Sequence, residues 1–155
     1  MHYTLYSSPL GDIALAANNK GLCHVDFQQS KRPLVLAEDW VQSNAPFTSA
    51  LKTLDSYFAG KKPEFTLSYD LTGTPFQLSV WEFLQKIPFG QILTYTQVAA
   101  GIGKPAAVRA VGTAIGRNPI TLFVPCHRVI GSNGSLTGYA GGVELKARLL
   151  EIERN

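Results

Sequence analysis

Cys126 and His127 stand side by side in Pro125-Cys126-His127-Arg128-Val129-Ile130, and a thiol next to an imidazole has the makings of a nucleophile and its base. Thiolate is the reactive form of cysteine, and a neighbouring base or cation raises its population. Pro125 restricts the backbone on the approach to the thiol. Adjacent residues seldom point at each other, so direct contact and a bridging water both stay open. A histidine base also needs an orienting partner. Glu144, Glu151 and Glu153 are the downstream carboxylates, and the sequence alone does not choose among them. Taken singly, each half of the pair also suits a buried structural role.

The elements around the pair must position it. Ile120-Thr121-Leu122-Phe123-Val124 is short, apolar and partly β-branched, which predicts a buried strand with Cys126 at its end. Downstream, residues 131–142 hold five glycines in twelve positions, a loop able to bring backbone N–H groups close to a ligand. It lacks the spacing of a nucleotide-phosphate loop. Tyr139 within it either stacks on a planar ligand or plugs the core. Upstream, Thr94 caps a predicted helix from Tyr95 to Gly101, and Ile102-Gly103-Lys104 turns into a second helix, Ala106 to Gly116, opened by Pro105. Two short helices around a tight glycine turn have the form of a helix-turn-helix. The second is slim, with Ala106, Ala107, Ala110, Gly112, Thr113 and Ala114, and Arg109 projects from its middle. Such a helix suits a nucleic-acid groove, and it suits close packing against neighbours equally well.

The first 27 residues alternate as three strands, Tyr3–Ser7, Ile13–Ala17 and Leu22–Phe27, with turns between them. Residues 28–46 are polar and irregular. Apolar residues at 47, 51, 54, 57 and 58 predict a helix ending at Gly60. Residues 61–74 form the plausible linker, and Thr74-Pro75 opens a helix with Phe76, Val80, Phe83, Leu84 and Ile87 on one stripe. Leu145, Leu149 and Ile152 mark a last amphipathic helix. The 155 residues are 45% hydrophobic and 16% charged, enough to bury a core without staples. Two cysteines make no disulfide framework, and Cys23-His24 alone supplies no zinc spacing. No apolar run reaches the ~18 residues of a membrane span. These features predict a soluble cytoplasmic protein with reduced thiols and no metal or other cofactor. Net charge is +3, but residues 1–86 carry seven Lys/Arg against eight Asp/Glu, and residues 87–155 carry seven against three. The basic half points toward a polyanion partner, although a charge fluctuation on solvated surface gives the same count.

Pro125–Ile130, with Arg109-Ala110-Val111-Gly112, Arg117-Asn118-Pro119 and Gly138-Tyr139-Ala140-Gly141-Gly142, resembles the O6-alkylguanine-DNA alkyltransferases. The match is strong from about Thr74 to Glu153, while residues 1–73 carry no diagnostic motif. The resemblance implies a mixed α/β chain. Residues 1–73 would be a small ribonuclease-H-like domain with an antiparallel sheet and a helix. Residues 74–155 would be a mostly helical DNA-binding domain carrying the helix-turn-helix and an active-site strand and loop. It implies single-use transfer of an alkyl group from O6-alkylguanine, and from O4-alkylthymine, to Cys126. His127 would be a water-linked base and Glu153 its orienting carboxylate. Tyr95 would donate to the guanine ring as it leaves and press on the target's 3′ phosphate. Arg109 would fill the stack vacated by a flipped nucleotide. Ala106, Ala107 and Gly112 would face the minor groove, and Asn118 would be the hinge behind them. Carbonyls of Cys126 and Val129 would read the guanine amino group, with Tyr139 and the Ala140 amide walling the pocket. The partner would be duplex DNA carrying the lesion, bound by a monomer, with cooperative binding left open.

Some positions depart from the pattern. Ala140 stands where some members carry serine, and Val108 where alanine is common before the arginine. Cys23-His24 does not rebuild the zinc site of certain animal members. The presence of Cys126 separates the chain from the non-catalytic relatives that replace it. Two other classes compete. A helix-turn-helix regulator or lesion sensor accounts for the basic half but leaves Pro-Cys-His-Arg idle, and a cysteine hydrolase lacks an oxyanion-hole motif.

Overall fold

A computed structural model describes residues 1–30, 33–63, 67–136, 139 and 142–154. Strands β1 (His2–Ser8), β2 (Gly11–Ala17) and β3 (Leu22–Phe27) pair antiparallel in sequence order, so the expected alternation and turns build a meander. A two-residue strand β4 (Val41–Gln42) adds parallel to β1, giving the order β3-β2-β1-β4. As the inner strand, β2 buries every residue from Ile13 to Ala17, and its alanines suit a strand covered on both faces. A single 3₁₀ turn, Ala45–Phe47, leads into α1 (Thr48–Phe58), which buries Ala50, Thr53, Leu54 and Tyr57 along one face.

The second half is made of short helices with well-defined starts. α2 (Pro75–Leu84) opens with the predicted Thr74 cap, and Gln77 returns a side-chain bond to the Thr74 amide. β5 (Leu93–Thr94) leads into α3 (Tyr95–Gly101), where Thr94 and Gln97 repeat the same reciprocal cap. α4 runs Val108–Gly116, so it begins two residues later than the sequence predicts. Gly103 (φ 77°) reverses the chain, and Ala107 N–H donates to the Lys104 carbonyl at 2.9 Å. Pro105 therefore opens a turn rather than the helix. The Trp81 indole donates to the Ala114 carbonyl at 2.8 Å and locks α2 to α4.

The predicted core strand over residues 120–124 does not form. Ile120 makes one isolated parallel bridge with Val25, after which the chain turns, with Leu122 at φ 75°. Val124 N–H closes back on the Ile120 carbonyl at 3.0 Å. Asn118 holds both ends of the turn, accepting from Ile120 N–H (2.9 Å) and donating to the Val124 carbonyl (2.8 Å). The run is apolar because it is buried, and burial by itself does not require a strand. Cys126 accordingly begins a 3₁₀ turn, Cys126–Arg128, followed by β6 (Val129–Ile130), which pairs parallel with β5. α5 (Val143–Glu153) closes the fold.

One hydrophobic cluster runs through both halves, from Ile13, Val25 and Leu54 to Val80, Val98, Val111 and Leu149. Main-chain bonds stitch the halves together: Val25 N–H donates to the Pro119 carbonyl, and Thr121 N–H donates to the Val25 carbonyl, each at 2.9 Å.

Candidate active site

The 3₁₀ turn after Pro125 buries three consecutive polar side chains, Cys126, His127 and Arg128. Two of them, His127 and Arg128, are held by the same carboxylate. His127 is fully buried, and its Nε2 pairs with Glu153 Oε2. Arg128 Nε donates to the other carboxylate oxygen, Oε1, at 2.7 Å, while its Nη1 donates to the Ile87 carbonyl at 2.7 Å. Gly90, at φ 83°, turns its N–H onto the same Oε1 at 3.1 Å. Helix phase explains which acid reaches the histidine. Leu145, Lys146, Leu149, Leu150 and Glu153 share the buried face of α5, whereas Glu144 and Glu151 are exposed.

The electrostatics follow from that wiring. Burial favours a neutral Glu153 carboxyl, but the bonds from His127 and Arg128 outweigh it and lower the pKa from 4.5 to about 2. Burial also lowers His127 despite the Glu153 carboxylate, so the imidazole is neutral at neutral pH. With Nε2 turned to an ionised carboxylate, the ring hydrogen belongs on Nε2 and the lone pair on Nδ1. Nδ1 is buried and has no hydrogen-bond partner among the described residues. The Cys126 thiol is 4% exposed, and burial pushes it up to about 11, against the pull of an Asn118 hydrogen bond and the Lys146 charge. At rest it is a protonated thiol that needs a base.

A small cavity of about 10 Å³ lies beside the thiol, lined by Asn118, Thr121, Tyr139, Asp26 and Ser30 among others. Tyr139 is 7% exposed, and its hydroxyl has no hydrogen-bond partner among the described residues. Ala140 lies outside the described residues. Lys146 donates to the Val129 carbonyl, one of the predicted base-reading groups, and its ammonium sits 5.7 Å from the Tyr95 ring centre. Tyr95 opens α3, half-buried, and a Cβ placed on Gly112 would meet its ring at 3.9 Å. On α4 and the turn before it, Arg109 and Ala106 are exposed, and Ala107 and Gly112 half-buried.

The fold thus brings Cys126, His127, Glu153, Asn118, Val129 and Tyr139 together, and links Tyr95 to them through Lys146. Four participants were not singled out from the sequence. Arg128 lay within the motif, and Lys146 occupies the apolar stripe of α5, where a charge is itself a signal. Tyr57 and Asp26 come from the first half. Asp26, pushed up by burial to about 7 against a Thr121 hydrogen bond, carried no sequence signal. Among the described residues no group of three or more His, Cys, Asp or Glu could hold a metal ion, and no helix is long and apolar enough to cross a membrane.

Residues 75–155 match the model of the 6-O-methylguanine DNA methyltransferase DNA-binding domain, and residues 1–71 that of the same family's ribonuclease-like domain. A methylated-DNA–protein-cysteine methyltransferase of Methanosarcina barkeri is 48% identical over all of this chain and 98% of its own length. The Mycobacterium tuberculosis OGT, crystallised in complex with DNA, is 42% identical and superposes with a TM-score of 0.91 over 99% of this chain and 93% of that one. The O6-methylguanine-DNA methyltransferase of the archaeon Pyrococcus kodakaraensis is 25% identical, with a TM-score of 0.66 over 97% and 98% of the two chains. The chain therefore belongs to the 6-O-methylguanine DNA methyltransferase family, and its activity is DNA repair by transfer of an alkyl group to a protein cysteine.

Proposed function

We propose that Cys126 is the acceptor and that His127 and Glu153 form the relay that activates it. The observation that carries this reading is the buried Glu153–His127 pair, with His127 Nδ1 unpartnered among the described residues and the preceding residue a thiol whose pKa burial has raised. The thiol proton passes through a water to Nδ1, and Glu153 stabilises the imidazolium that forms. The sulfur then attacks the alkyl carbon on guanine O6 in line. The S–C bond forms, the C–O6 bond breaks, and its electron pair leaves with the guanine. Tyr95 donates to the ring nitrogen that becomes basic. A thioether has no easy return to thiolate, so each molecule acts once.

The cavity beside Cys126 is far smaller than a purine, so its walls part when the base enters. Backbone carbonyls of Cys126 and Val129 read the amino group, and Tyr139 walls the pocket. Asn118 supports this wall by fixing the turn before Cys126. The exposed Arg109 enters the stack in place of the extruded nucleotide, and Ala106, Ala107 and Gly112 give α4 and the turn before it a slim approach to the minor groove. The relative crystallised with DNA supports this partner. O4-alkylthymine is a second substrate. We divide the chain into residues 1–73 and 74–155, acting as a monomer. The free thiols of Cys23 and Cys126 favour a cytoplasmic setting.

Incubation with duplex DNA containing O6-methylguanine is expected to add one methyl mass to the peptide containing Cys126. Folded protein that gains no mass there would overturn the reading.

A further inference from the structure

We infer that Tyr57, on helix α1 of the first half, is a positioning residue for alkyl transfer, its hydroxyl fixing the Glu153 carboxylate that orients His127. The inference rests on the His127–Glu153 relay proposed above and extends it across the boundary between the halves.

Glu153 accepts four donors. Arg128 Nε and Gly90 N–H share Oε1, and His127 Nε2 and the Tyr57 hydroxyl share Oε2, with the phenol at 2.7 Å. Among the described residues, Tyr57 is the only one of these donors from residues 1–73. It is 4% exposed, and its oxygen also lies 3.4 Å from both His127 Nε2 and the Leu149 carbonyl. The ring meets the imidazole edge-on, with centres 6.3 Å apart and planes at 81°, and meets Phe89 at 5.9 Å and 88°. The phenol oxygen therefore lies against both members of the pair.

Two consequences follow from hydrogen-bond chemistry. With both oxygens occupied the carboxylate cannot rotate, so Nε2–H keeps its direction and the lone pair stays on Nδ1. The hydroxyl also withdraws charge from Oε2, which limits how strongly Glu153 favours the imidazolium. Burial and the neighbouring carboxylate raise the Tyr57 pKa, so the phenol stays a donor throughout the working range. The other charges that face His127 are Arg128 on its own turn and Lys146 on α5, while Asp26 on β3 faces Cys126. None of them occupies the place of the phenol.

The test is single-turnover transfer of the benzyl group from free O6-benzylguanine across pH 5–9, with Cys126 labelling read by mass and the folded fraction by circular dichroism. Tyr57→Phe keeps the ring and removes the donor. The expected result is a maximal rate about tenfold lower, with the acidic limb of the profile moved to higher pH and unchanged saturation by benzylguanine. Site-specific 3-fluorotyrosine at position 57 is a stronger donor and is expected to move the limb the other way. A Tyr57→Phe protein with wild-type rate and limb would overturn the inference and leave the relay standing, as would losses no larger than its unfolded fraction. Wild-type protein whose Cys126 gains no methyl mass from duplex DNA containing O6-methylguanine would overturn both.

Discussion

The two halves of the molecule treat burial differently. Residues 1–73 bury aliphatic and aromatic side chains, and their buried polar residues among those described are the threonines Thr4 and Thr53. Residues 74–155 bury His127, Arg128, Lys146 and Glu153, four ionisable groups within one small region. Desolvated charge is costly unless paired. The second half meets that cost for His127, Arg128 and Glu153 with a network centred on one carboxylate, while Lys146 donates to the Val129 carbonyl. The first half contributes one phenol to the network. A half that does no chemistry can thus still belong to the site, because its helix α1 supplies a hydrogen bond to the carboxylate at the centre of that network.

Three substitutions would break or sharpen this contrast. The largest expected effect is at Glu153→Gln, which leaves Arg128 and His127 buried without their anion and replaces one of the two accepting oxygens by a donor. Alkyl transfer is expected to slow about 100-fold and urea unfolding to show a loss of about 3–5 kcal/mol. The same variant tests the pH dependence. Because folding lowers the Glu153 pKa from 4.5 to about 2, its contribution is complete above pH 4.5 and drains away as pH falls toward 2. Wild type should lose stability through that window, and the variant should lose correspondingly less. An intermediate effect is expected at Arg109→Ala. Repair of O6-methylguanine in duplex DNA should slow about tenfold, an order of magnitude in keeping with an assisting role in base extrusion. Transfer from free O6-benzylguanine should stay unchanged, and equal slowing of both would remove the base-flipping role. The smallest effect on rate is expected in the first half at Leu15→Ala, where a fully buried side chain of β2 is truncated. Stability should fall by about 2–5 kcal/mol while the folded protein reacts at the wild-type rate. A slowed folded variant would show that the sheet shapes the site beyond Tyr57.

Local signals in the sequence were reliable where local physics decides structure. Alternation located the three long strands, and Thr74 and Thr94 marked two helix starts because a hydroxyl ahead of a free N–H is a short-range event. They failed where the deciding contact was distant. The run from Ile120 to Val124 read as a strand, yet among the described residues its pairing stops at the single bridge from Ile120 to Val25, and Asn118 folds it into a turn. The same asymmetry holds in the site. Cys126 and His127 announce themselves by adjacency, and Glu153 is selected by the phase of α5. Tyr57 sits on the apolar stripe of α1, 96 residues from Glu153, where an aromatic side chain looks like any other core residue.

Cys126 is buried and held protonated well above neutral pH, and this bears on how long the protein stays useful. Oxidants and diffusing electrophiles react with exposed thiolates, and a thiol that is neither exposed nor ionised is slow toward them. A reagent used only once is wasted by any reaction except the intended one. Under the proposed reaction, keeping this sulfur inert until the damaged nucleotide is seated beside it reserves its single use for damaged DNA.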